Sequence, residues 1–396
     1  MLIFRKWVAI PLVSLLLLTG CWSRKELNEL AMAAALGLDK SGDKYLVSVQ
    51  TINPSEIAAK KGGLSQLPVV TYQGSGTTVL EAIRKMTTAM PRRNYLAHLR
   101  VVVIGEALAR EGISKPLDFL SRDHEVRSDF FVIVSKKESA KEILSLMTAL
   151  EKIPANKLYT SLEISEKFWS STSRVTLDDL VGDMISEGKE AVLPGVTIKG
   201  NEETGKSSKN LQEVELEAVL RFKDMALFKK NKLVGWLSDR EGKGYNFTQG
   251  KVTSAIIAIP CQSKGTVDVE LARTKATIKS RVVRGKPEAT VNVRAEANVG
   301  AVECKMDIMK LSSVSFMEKE AEKEIADQIR QTVQKAQKTY KSDIFGFGDS
   351  VHRASPAAWK KLKRNWGNTF SKMKVDVKVD VKIRRIGTIN QPIQKQ

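Results

Sequence analysis

The chain has 396 residues, 42% of them hydrophobic and 28% charged, which allows two or three globular domains with real cores and excludes a disordered or fibrous protein. Lysine and arginine number 64 against 45 acidic residues, a formal charge of +19. On an exported protein that excess suits the anionic headgroups of a lipid surface, whereas nucleic acid is set aside because no aromatic residues interleave with basic ones on a strand platform.

The chain opens MLIFRKWVAIPLVSLLLLTGCWSRKE, with Arg5 and Lys6 ahead of an apolar stretch from Trp7 to Leu18. That stretch is short for a membrane span and reads as an export leader, residues 1–20. It ends Leu18-Thr19-Gly20-Cys21, the form of a bacterial lipobox, so Cys21 is expected to carry S-linked diacylglycerol and, after cleavage, an N-acyl group. Two or three acyl chains at about 0.8 kcal/mol per buried CH₂ hold a protein on a membrane without a spanning helix. The expected location is the outer face of a cytoplasmic membrane. Losing Arg5 and Lys6 takes two charges from +19 and leaves +17.

Beyond Cys21, Ser23-x-x-Glu26 is a capping-box pattern that predicts a helix through about Leu36. Tyr45 to Thr51 alternates as a strand, and Thr78-x-x-Glu81 caps a helix carrying Val79, Ile83, Met86 and Met90 on one face before Pro91. The apolar runs Leu99 to Gly105 and Asp129 to Ser135 have strand length, and each precedes a helical pattern, near 106–122 and 138–150. Helices are also expected over Leu158 to Ser170 and Thr176 to Ser186. The half from 21 to 199 therefore reads as α/β, with room for two subdomains.

Residues 200–210, GNEETGKSSKN, are polar and charged, which predicts a linker. They also match the phosphate-binding pattern G-x-x-x-x-G-K-[ST] from Gly200 to Ser207. No apolar helical stripe follows Ser207, and Glu202 and Glu203 would face the phosphates with like charge, so no nucleotide is expected here.

From 211 to 391 strands dominate: Val214 to Phe222, Thr253 to Ile259, Lys275 to Val283 and Ala289 to Ala295. A long helix follows, capped at Ser315-x-x-Glu318, with Met317, Ala321, Ile325, Ile329, Val333, Ala336 and Tyr340 in one stripe. A further helix opens at Ser355-Pro356 with Trp359, Leu362, Trp366 and Phe370 on its apolar side. KVDVKVDVKI closes the pattern as a strand with one wet face. The fold class is α+β: an α/β first half, then a mainly antiparallel sheet packed by long helices. Cys261 and Cys304 could form one disulfide but are read as buried free thiols in apolar surroundings.

Little here resembles catalytic machinery. His98, His124 and His352 are too scattered for a metal site, and no G-x-S-x-G is present, so no cofactor or metal is expected. Two surface candidates remain. Arg122, Asp123 and Arg127 lie in a dense run of ionisable residues that could be a partner-docking edge. Trp359, Lys360, Lys361, Lys363 and Arg364 form a basic amphipathic stretch suited to a membrane surface, although the stripe through Leu362 and Phe370 favours a core role for the tryptophan.

Motifs recur in one order along nearly the whole chain: Cys21-Trp22, Gly37-Leu38-Asp39, His98, Ile104-Gly105-Glu106, Leu117-Asp118-Phe119-Leu120, Arg122-Asp123, Arg127, Leu233-Val234-Gly235-Trp236-Leu237, Gly244, Asp343-Ile344-Phe345-Gly346-Phe347-Gly348, Pro356, Trp359, Trp366 and Gly387. In this the chain resembles the Ger(x)C family of spore germination lipoproteins, the C subunits of nutrient germinant receptors; Ser23 departs from the acidic residue expected there. The resemblance implies a non-enzymatic subunit working beside integral-membrane A and B subunits at the inner membrane of the spore, triggered by amino acids, sugars or similar nutrients. A solute-binding lipoprotein serving a transporter is the alternative, and it would need two similar lobes around a cleft.

Overall fold

The computed structural model describes residues 27–386, apart from residues 55, 57–66, 213, 262 and 263. The first half is built on a large sheet whose strands are β1 (Leu30–Ser41), β2 (Lys44–Ile52), β3 (Val69–Gly76), β4 (Arg93–Tyr95), β5 (Val101–Gly105), β6 (Phe131–Ser135), β7 (Val192–Gly200), β8 (Ala218–Lys229) and β9 (Lys232–Leu237). Their order is β3-β2-β1-β5-β6-β7-β8-β9, with β4 beside the start of β1. The centre from β1 to β7 is parallel and the flanks are antiparallel. Every residue of β5 and β6 is buried, as expected of parallel strands covered on both faces.

Helices Val79–Lys85, Glu106–Glu111, Ser114–Arg122 and Leu177–Ile185 cover one face, and Ala140–Ser145 and Pro154–Phe168 the other. Local caps fix their starts. Thr78 accepts from the Glu81 N–H, and Thr176 with Asp179 makes a full capping box. The start of the chain differs from expectation. Ser23 to Glu26 lie outside the described residues, and Leu30–Ser41 is a strand rather than a helix. Its run of alanine and leucine carries helix propensity, but the strand is buried on both faces between β2 and β5, so tertiary packing overrides the local preference.

The second half carries β10 (Ala255–Pro260), β11 (Thr266–Val283), β12 (Lys286–Val302) and β13 (Lys374–Arg385), in that order, with β13 parallel to β12 and the other pairs antiparallel. The helix Leu311–Lys335 lays its stripe of Met317, Ala321, Ile325, Ile329 and Val333 on this sheet. It starts one turn before the expected Ser315 cap. The Ser355-Pro356 helix is broken by a 3-10 turn at Lys363–Asn365, so the apolar side continues as a separate piece, Trp366–Phe370.

Two further differences matter. Cys261 and Cys304 form a disulfide, joining the end of β10 to the segment after β12, and are not free thiols. β10 and β12 flank β11, which brings two cysteines distant in sequence to one end of the sheet. The polar segment 200–210 connects β7 to β8, which pair with each other from Val192–Leu227 to Gly200–Ala218. It holds a turn of helix, Glu202–Gly205, and a 3-10 turn, Ser208–Leu211. The expected linker thus lies inside one continuous sheet, because β8 and β9, which follow it in sequence, add to the sheet built by the residues before it.

Candidate functional site

The two halves meet at a seam organised by Asp343. Its carboxylate is buried in the turn Asp343 to Gly348, where Oδ1 accepts from the amides of Phe345, Gly346 and Phe347 and Oδ2 from the Gly348 amide at 2.8 Å and the Trp366 indole N–H at 2.9 Å. Burial pushes this carboxyl up to about 6, against the pull of the Gly348, Trp366, Phe347 and Phe345 N–H groups. The DIFGFG motif is therefore a turn wound around one acidic side chain. Its phenylalanines point into the core: Phe345 and Phe347 stack at 5.1 Å, and both reach Phe370.

Around this turn the first half is bonded directly to the second. The Asp343 carbonyl accepts from the Glu190 amide at 2.8 Å, and the Ser342 hydroxyl donates to the Phe228 carbonyl at 2.7 Å. Ser186 donates to Asp349, and Lys363 pairs with Glu187 at 2.9 Å. At Gly235 in β9, an added Cβ would strike the Tyr340 ring, so only glycine lets the end of the long helix lie against that strand. Trp236 donates its indole N–H to Glu106 at 3.2 Å, tying two of the recurring motifs together. The seam joins motif residues that sequence order keeps far apart.

The surface candidates separate on inspection. Trp359 is only 2% exposed and meets Trp366 edge-on at 5.0 Å, so it belongs to the core and not to a lipid-facing surface; Lys360, Lys361, Lys363 and Arg364 stay exposed around it. Arg122 pairs with Asp118 at 2.9 Å, Arg127 with Asp129 at 2.7 Å, and the half-buried Asp123 accepts from the amide of Glu125, whose own carboxylate pairs with Arg93 of β4 at 2.8 Å. At Gly200 to Ser207 the amides of Glu203 and Thr204 already donate to Asn201, and Lys206 is held by Glu202 and Glu203. Those are the groups a phosphate would require. Cys21 lies outside the described residues.

Asp343 was legible as a motif residue but not as the centre of a turn; the signal is an acidic residue followed by two glycines within five positions. Lys229, Lys230 and Lys341, which flank the same seam, carry no sequence signal of their own.

Residues 23–198 match the family described as spore germination protein N-terminal domain, and residues 223–387 that described as spore germination B3/GerAC like, C-terminal. Spore germination protein KC of Bacillus subtilis (strain 168) is 32% identical over 393 residues, covering 97% of this chain and 96% of that protein. The chain belongs to the Ger(x)C family of spore germination proteins. Spore germination protein B3 of the same organism is 24% identical over 389 residues, covering 95% and 96%. Among solved structures, the crystal structure of the GerBC protein superposes with a TM-score of 0.53 at 18% identity, covering 88% of this chain and 96% of that one. This Ger(x)C chain therefore shares the α+β fold of that protein. The two matched segments stop and restart on either side of the β7–β8 connection, although β7 and β8 are paired.

Proposed function

We propose that this chain is a lipid-anchored, non-enzymatic subunit of a spore germinant receptor, needed for the response to nutrients such as amino acids or sugars. It works beside integral-membrane A and B subunits, held through Cys21 at the inner membrane of the spore. The chain-long similarity to spore germination proteins KC and B3 carries this reading. Two observations support it. Among the described residues no helix is long and apolar enough to cross a membrane, and a lipid at Cys21 requires none. The motif residues Asp343, Trp366, Trp236, Glu106 and Gly235 build an interior seam rather than a cluster of reactive groups.

The solute-binding alternative requires two like lobes, whereas a nine-stranded and a four-stranded sheet of different order are unlike. The test is a deletion of the gene in the producing organism, with spores challenged by single nutrients. Loss of optical density should be abolished or slowed for at least one nutrient and restored by the wild-type chain but not by Cys21→Ala. Normal germination with every nutrient, in a strain also lacking related chains, would sink the proposal.

A further inference from the structure

Beside Asp343 and Trp366 the seam leaves a polar cavity of about 640 Å³, within the range of roughly 300–1,000 Å³ that small-molecule sites occupy. Residues of both halves wall it. Lys229 ends β8 and Lys230 opens the turn to β9, Lys341 follows the end of the long helix and Arg364 lies in the 3-10 turn after Pro356–Leu362. None of these four makes an ion pair among the described residues, whereas a fifth cation, Lys363, is held by Glu187.

The carboxylates of the wall are already engaged. Asp343 is enclosed by its N–H donors, Glu187 is paired, and Glu190 accepts from the Lys230 amide. Burial pushes the Glu190 carboxyl up, opposed by that amide and by the charges of Lys229 and Lys230. Four like charges thus line one concave wall, and a cleft focuses the field of the charges that line it.

Backbone conformation adds an independent observation. Lys230 and Lys341 stand in the left-handed region, at φ 56° and 50°. A side chain there costs on the order of 1 kcal/mol that glycine would avoid. Both positions nevertheless carry lysine, and both open onto this cavity.

We propose that the cavity binds a small-molecule dianion, a phosphate or a dicarboxylate, between Lys229, Lys230, Lys341 and Arg364. The guanidinium offers paired N–H donors suited to an oxyanion, and the lysines supply compact charge around it. Because Lys229 and Lys230 belong to the large sheet while Lys341 and Arg364 belong to the helices of the second half, the bound dianion bridges the seam. This assignment is independent of the receptor reading.

The full chain, purified in a mild detergent, is titrated calorimetrically with inorganic phosphate and, separately, with succinate. At least one probe should saturate a single site, and the binding should weaken with added salt. The double variant Lys230→Gly with Lys341→Gly removes two charges while suiting the same backbone, so its melting temperature should not fall and its Kd should rise about tenfold or more. Lys360→Ala with Lys361→Ala, exposed lysines outside the wall, should leave Kd unchanged. Saturation by phosphate alone or by succinate alone identifies which dianion the wall fits. The proposal is overturned if neither probe saturates below about 10 mM at low salt, if the double glycine variant binds like the wild type, or if the Lys360 and Lys361 control loses affinity equally.

Discussion

Gly188 and Gly348 pack backbone against backbone across the seam: a Cβ on Gly348 would lie 2.6 Å from the Gly188 Cα and 2.7 Å from its carbonyl oxygen. Backbone on both sides leaves nothing flexible to move. Gly348→Ala should therefore destabilise the protein by about 1–3 kcal/mol or more, the range for overpacking a tight interior, measured by denaturant unfolding. Gly182→Ala, where an added Cβ meets nothing, should by contrast be tolerated.

The Asp343 carboxylate accepts from four amides of its own turn and from the Trp366 indole N–H. Asp343→Ala leaves those donors buried without an acceptor, and about 3 kcal/mol or more should be lost. Trp366→Phe keeps an aromatic ring but removes one donor and part of a buried indole, so it should cost about 1–3 kcal/mol, less than Asp343→Ala. Equal losses for the two variants in thermal or urea unfolding would refute the central place of the carboxylate.

Cys261 and Cys304 are 43 residues apart in sequence and linked. Closing a loop of that size restricts the unfolded chain, so Cys261→Ser with Cys304→Ser should lower stability by about 2–4 kcal/mol. Peptide mapping without reductant should recover the linked pair. Free thiols at both positions in the oxidised, folded protein would contradict it.

The elements that could be read from the sequence are those whose information is local. Thr78 with Glu81 and Thr176 with Asp179 announce their helices, the runs around Val101 to Gly105 and Phe131 to Ser135 announce central strands, and the stripe from Met317 to Val333 announces the long helix. β1 was not readable, because alanine and leucine buried on both faces lose the alternation that marks a strand. The disulfide depends on which strands flank β11, a property of topology and not of spacing. The cavity is the extreme case. Lys229, Lys341 and Arg364 come from separate segments, and each alone resembles any exposed basic residue in a chain of charge +19.

In the turn bearing Asp123 and Arg127 the arginine is exposed and the aspartate half-buried, and the partners shown for both are local, so removing these two charges should hardly touch the fold. Asp123→Ala with Arg127→Ala should leave the melting temperature within about 2 °C of the wild type. If the edge docks a partner subunit, the same variant should reduce co-purification of that subunit. Unchanged co-purification removes the docking role, and a collapse in melting temperature makes the turn structural instead.

Lys206 decides the meaning of the GNEETGKS match. In a phosphate-binding loop the lysine reaches a phosphate while successive amides point at it, and replacing the lysine abolishes function. Here Lys206 lies 2.5 Å from Glu202 and 3.2 Å from Glu203, and the short helix Glu202–Gly205 has its first amides taken by Asn201. The ion pairs are partly exposed, which limits their worth to about 0–1 kcal/mol. Lys206→Ala should therefore leave both the melting temperature and the nutrient response of spores close to wild type. Asn201→Ala, which frees two helix amides, should cost about 1 kcal/mol, and so more than the lysine. A germination defect in Lys206→Ala with stability unchanged would reopen the nucleotide reading; a larger stability loss from Asn201 than from Lys206 marks the segment as a capped turn between two paired strands.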